Sequence, residues 1–84
     1  MQQIRKRIDI IDEKIIQLLA RRIKLVLKVG KFKKKEGLPI RDKKREEEIL
    51  KKLEKQAKKL GINPEFISKL YQEMFKESRG AQKN

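Results

Sequence analysis

From Ile4 onward, Ile8, Ile11, Ile15, Leu18, Arg22, Leu25, Val29 and Phe32 follow one another at alternating spacings of four and three. That is a heptad seam held over about four repeats, and it predicts one long helix over roughly residues 2–35. At about 1.5 Å per residue such a helix runs on the order of 50 Å, more than the rest of an 84-residue chain can cover. The seam is therefore expected to face another copy of the chain.

Two corners punctuate the rest. Gly37 is placed to take the left-handed conformation that ends a helix, and Pro39 prevents the helix from continuing. A second helix then carries Ile49, Leu50, Leu53, Ala57 and Leu60, with Asp42 as its cap, and closes at Gly61 with apolar Ile62 behind it. Asn63-Pro64-Glu65 offers an N-cap, a proline at the first helical position and an acid near the positive end of the dipole. The third helix follows with Phe66, Ile67, Leu70, Tyr71, Met74 and Phe75. Nothing alternates with the period of a strand, no segment repeats, and the tail after Gln82 is expected to fray. The fold class is all-α, a three-helix subunit with a very long first helix in a single domain, 1–84.

Polar residues interrupt these apolar faces. Arg22 sits where the heptad asks for Leu or Ile, and its face continues through Val26 and Val29 to Lys33. Asp42 and Glu46 head the face that runs on through Ile49 and Leu53, and Ile67, Tyr71 and Met74 lead to Ser78 and Gln82. Each helix thus has an apolar stripe that turns polar at one end. Burying a charge without a partner costs several kcal/mol, so these groups must meet each other, water or a ligand. One reading is an internal network that fixes helix register. The other is a pocket for a small carboxylate.

Composition favours the pocket. Lys and Arg number 25 against 12 acidic residues, a formal charge of +13, so the expected partner is an anion. The basic run 31–37 is most simply a solvated helix end, where lysines complement the dipole. There is no Cys and no His, which removes disulfides, the common zinc sites, Cys/His nucleophiles and a histidine general base. No apolar run approaches the length of a membrane span and the first residues lack a signal-peptide core, so a cytoplasmic protein is expected. Abundant Lys and Glu without Cys, His or Trp also fit heat adaptation. A chain this short needs help to stay folded, and oligomerisation is what remains.

The stretches IRKRIDIIDEKIIQLLARR (4–22), KVGKFKKKEGLPIRDKKREEEIL (28–50) and YQEMFKESRGAQ (71–82) resemble, in order and spacing, the all-helical chorismate mutases of the AroQ class. The resemblance implies an intertwined homodimer with two equivalent sites and the intramolecular Claisen rearrangement of chorismate to prephenate, a step of phenylalanine and tyrosine biosynthesis. It implies substrate contacts from Arg22 and Arg45, and from Arg5 donated by the other subunit. It implies Lys33 and Gln82 at the ether oxygen, Asp42 and Glu46 at the hydroxyl region, and Ser78 at a carboxylate. Catalysis is then expected to rest on Lys33, Gln82 and Arg22, with no cofactor and no metal. Relatives that carry a fused pathway enzyme are longer, so neither a second activity nor a feedback domain is expected in this chain.

The residue types suit that chemistry. A pericyclic rearrangement moves no proton and needs no nucleophile; it needs the flexible dianion held in its compact conformer. Arginine's planar fork grips a carboxylate with two hydrogen bonds. Donors aimed at an ether oxygen that gains negative charge stabilise the transition state over the ground state. Arg5 lies 17 residues before Arg22, about 25 Å along one helix axis, so only an antiparallel partner helix could bring the two together. Two alternatives stand beside this reading: an isochorismate pyruvate lyase of the same fold, and a small basic helical module that binds nucleic acid. The scarcity of aromatic residues and the inward-facing polar set count against the second. The expected partner is thus the chorismate dianion, with no nucleic acid and no membrane.

Overall fold

The computed structural model describes residues 1–83, and these form three helices: α1 (Gln2–Lys35), α2 (Lys43–Lys59) and α3 (Pro64–Lys83). No strand occurs among the described residues. Lys83 is still helical, and Asn84, the end of the tail expected to fray, lies outside the described residues.

Both helix ends predicted from glycine form as Schellman motifs. Gly37 has φ 68° and Gly61 has φ 73°. At the end of α1 the Leu38 N–H donates to the Lys33 carbonyl at 2.8 Å, and at the end of α2 the Ile62 N–H donates to the Ala57 carbonyl at 2.8 Å. Asp42 caps α2 by accepting from the Arg45 N–H at 3.0 Å, and Asn63 accepts from the Glu65 N–H at 3.0 Å ahead of Pro64.

Only α3 touches both other helices; α1 and α2 do not meet. Arg22 reaches Tyr71 and Ser78, and farther along Val26 and Gly30 meet Gln82, so α1 and α3 run in parallel. Glu46, near the start of α2, meets Arg79 near the end of α3, so this pair is antiparallel. The core lies along α3. Phe75 and Ala57 are buried, flanked by half-buried Ile49, Leu50, Leu53, Ile67, Tyr71 and Met74, with the Tyr71 and Phe75 rings edge to face at 6.2 Å. Leu60, expected with the α2 stripe, is instead the C-cap residue and is exposed.

Two faces of α1 have different fates. The heptad seam stays in solvent: Ile4, Ile8, Ile11, Ile15, Leu18, Leu25, Val29 and Phe32 are all exposed, and every residue from 1 to 18 is exposed. The face that packs on α3 runs through Leu19, Arg22, Val26, Gly30 and Lys33. At 100° per residue the two faces lie about 60° apart, with Arg22 on their border. The sequence reading carried the Arg22 face through Val29. The structure carries it through Gly30, which is buried, and leaves Val29 exposed.

Candidate active site

The site is built where α1 and α3 meet. Arg22 lies with its guanidinium carbon 5.8 Å from the centre of the Tyr71 ring, within cation–π range. Its Nη1 donates to Ser78 Oγ at 3.4 Å, and the Ser78 hydroxyl donates to the Met74 carbonyl at 2.9 Å. Two side chains of α3, the Tyr71 ring and the Ser78 hydroxyl, therefore fix the direction of Arg22. Its charge is met by a ring face and a hydroxyl rather than by an acid.

Lys33 is half-buried and its Nζ donates to the Ile40 carbonyl at 2.8 Å, in the corner between α1 and α2. An ammonium has three donors, so two remain for a ligand. Gln82 is the one buried polar side chain among the described residues, and its Nε2 donates to the Val26 carbonyl at 2.9 Å. Arg22, Ser78 and Gln82 thus line one seam between two parallel helices, and Lys33 continues the same face of α1 at the end near the corner. Eleven residues of α1 separate Arg22 from Lys33, about 16 Å, with Gln82 between them.

The α2 residues stand differently. Glu46 is half-buried and already neutralised: Arg79 Nη1 donates to its Oε2 at 2.6 Å, and Arg41 Nε lies 3.6 Å from its Oε1. Asp42 is exposed and its carboxylate serves the helix cap. Arg45 is exposed as well, and among the described residues it has no ion-pair partner. Arg5 lies on the exposed first turns of α1, far from Arg22 on the same chain.

Arg79 is the residue that the sequence reading missed. It follows Phe75 by four positions on the side of α3 that faces α2, a signal available in the spacing but lost among so many surface cations. Arg41 is exposed, yet it touches Glu46.

Two clefts adjoin the site. The larger, about 390 Å³, lies between α1 and α3 and is mainly apolar, with Leu19, Ile23, Leu70 and Met74 in its walls and Arg22 and Ser78 at its edge. The smaller, about 240 Å³, lies between α2 and α3 beside Arg41, Glu46, Phe75 and Arg79. Neither gathers Arg22, Lys33 and Gln82 into one enclosed chamber, so within a single chain the site is an open seam.

With Glu46 cancelled by two arginines, the seam presents Arg22 and Lys33 with no carboxylate partner among the described residues. No group of side chains suited to hold a metal occurs among them either. The described residues therefore form an all-helical protein with a half-buried cationic seam. Residues 4–83 match the family described as chorismate mutase type II, and the chain belongs to that family.

Relatives agree. The chain is 44% identical over 79 residues to a bifunctional chorismate mutase/prephenate dehydratase of Buchnera aphidicola, covering 94% of this chain and 20% of that protein. It is 37% identical over 78 residues to the T-protein of Haemophilus influenzae, covering 93% of this chain and 21% of the relative. A chorismate mutase of Methanocaldococcus jannaschii is 35% identical over 81 residues, 96% of this chain and 82% of the relative. The chain thus spans about a fifth of the length of the first two and most of the third. No helix among the described residues is long and apolar enough to cross a membrane.

Proposed function

We propose that this chain catalyses the rearrangement of chorismate to prephenate. The observation that carries the reading is the uncompensated charge of Arg22 and Lys33, each half-buried and each oriented by a neutral partner. A buried network meant only to fix register would pair them with the available acid, and that acid is taken by Arg79 and Arg41. Arg22 and Lys33 start about 16 Å apart along the α1 axis, and their long side chains, with the Gln82 amide between them, can converge on one small dianion.

In this reading Arg22 and Arg45 bind carboxylates, with Ser78 beside Arg22. Lys33 and Gln82 donate to the ether oxygen as its bond to carbon breaks. Asp42 and Glu46 face the hydroxyl side. Within one substrate molecule a carbon–oxygen bond breaks and a carbon–carbon bond forms, so no proton, electron or cofactor enters. The rate gain comes from holding the compact conformer and from donors that strengthen as negative charge gathers on the oxygen.

We also infer that a second copy completes each site by supplying Arg5. Surface supports this. The chain exposes 7568 Å², whereas a compact monomer of its mass exposes about 5,300 Å². Its radius of gyration is 15.5 Å, against about 12 Å for a compact chain of this length. Covering the excess in two copies would bury an area in the range of obligate homodimers. The heptad seam of α1 is the face that such a partner would cover. The substrate is a small molecule, the setting is cytoplasmic, and neither nucleic acid nor a membrane takes part.

The test is chorismate consumption by the purified protein with identification of the product. Prephenate as the only product is expected, and unchanged chorismate would overturn the reading. Faster release of salicylate and pyruvate from isochorismate would move the chain to the lyase reaction.

A further inference from the structure

Gly30 stands inside α1 and is buried against α3. Its backbone is helical, so no positive φ calls for glycine there. Alanine would favour the helix, and the reason for glycine must lie outside the helix. A Cβ built on Gly30 would fall 2.7 Å from Gln82 Cγ, 3.0 Å from Gln82 Cβ and 3.3 Å from Gln82 Cα. The last of these is backbone, so the clash is not relieved by a side-chain rotation alone.

Val26, four positions earlier on α1, explains what the close approach achieves. A helical Cβ tilts toward the N-terminus, so a side chain at position 30 would lean back over the turn that begins at Val26. The Val26 carbonyl is the one that accepts from Gln82 Nε2 at 2.9 Å. A carbonyl oxygen can only accept, so it settles which end of the Gln82 amide faces α1: the nitrogen. One amide hydrogen is thereby used, and the second stays free to donate.

We propose that Gly30 is a positioning residue for Gln82. By carrying no side chain it leaves the Val26 carbonyl uncovered, and that carbonyl holds the Gln82 amide with an N–H, rather than its oxygen, available to the ligand. This inference rests on the reading of Gln82 as a donor to the ether oxygen. A reversed amide would set a lone pair against an oxygen that is gaining negative charge.

The experiment compares Gly30→Ala, Gln82→Ala and the double variant in the full chain, with kcat and KM measured separately. Gly30→Ala is expected to lower kcat by about 10²-fold, the size of effect that a displaced transition-state donor produces, with KM changed much less. The double variant is expected to have the kcat of Gln82→Ala alone, because Gly30 acts only through that residue. Wild-type kcat in Gly30→Ala alongside a deep loss in Gln82→Ala overturns the inference and leaves the donor role of Gln82 intact. Wild-type kcat in Gln82→Ala overturns both.

A second measurement needs no variant. In the unmutated protein one side-chain amide hydrogen of Gln82 is expected to exchange with solvent more slowly than the other, observed by NMR of the labelled amide. Equally fast exchange of both hydrogens would overturn the seat on Val26 whatever the fate of Gly30→Ala.

Discussion

At the scale of single residues, Arg22 and Lys33 are held by partners that orient them without cancelling their charge. Removing either side chain takes charge from the seam without removing any side chain of the α2–α3 core. Arg22→Ala and Lys33→Ala are each expected to lower turnover by at least about a hundredfold, with circular dichroism unchanged. Near-normal turnover in either variant would remove that residue from the site. Both were legible in the sequence, because a cation on an apolar stripe breaks a pattern that is otherwise strict. Gly30 was not, since glycine carries no hydrophobic signal and its neighbour Val29 fitted the stripe better. Burial of Gly30 is a property of two helices together, and the spacing of one helix does not contain it.

At the scale of elements, α2 is joined to α3 by a small apolar core and by the Glu46–Arg79 pair. That pair is mostly shielded, with side chains 16% and 23% exposed, and its 2.6 Å hydrogen bond is charge-assisted. Arg79→Ala strands a half-buried carboxylate with only the exposed Arg41 beside it, and is expected to cost about 1–3 kcal/mol in urea unfolding. In a double-mutant cycle with Glu46→Gln, additive losses would show that the pair contributes nothing. The turns of this bundle were readable residue by residue. Gly37, Gly61 and Asn63-Pro64 act through hydrogen bonds spanning a few positions, and those lie within the reach of local sequence. The pairing of Arg79 with Glu46 spans 33 positions, and nothing local announces it.

At the scale of the whole molecule, the proposal that two chains share each site has a test in mixed refolding. Arg5→Ala and Arg22→Ala chains, each nearly inactive, are unfolded, mixed equally and refolded together. If each seam takes Arg22 from one subunit and Arg5 from the other, a mixed dimer holds one complete site and one that lacks both arginines. Random pairing makes about half of the dimers mixed, so about a quarter of wild-type activity should return. Recovery near zero, with mixed dimers present by mass spectrometry, would mean that Arg5 serves its own chain or no site at all.

The exposed seam of α1 makes thermodynamic stability a property of the solution as much as of the chain. Ala57 and Phe75 are the only buried hydrophobic residues among those described, and a core so small leaves little margin against chain entropy. If association supplies the remainder, mass action governs the midpoint of unfolding. The melting temperature should then climb with protein concentration, and specific activity should fall away on dilution as subunits part. A melting temperature that is constant across a hundredfold range of concentration would show that α1 stands in water without help.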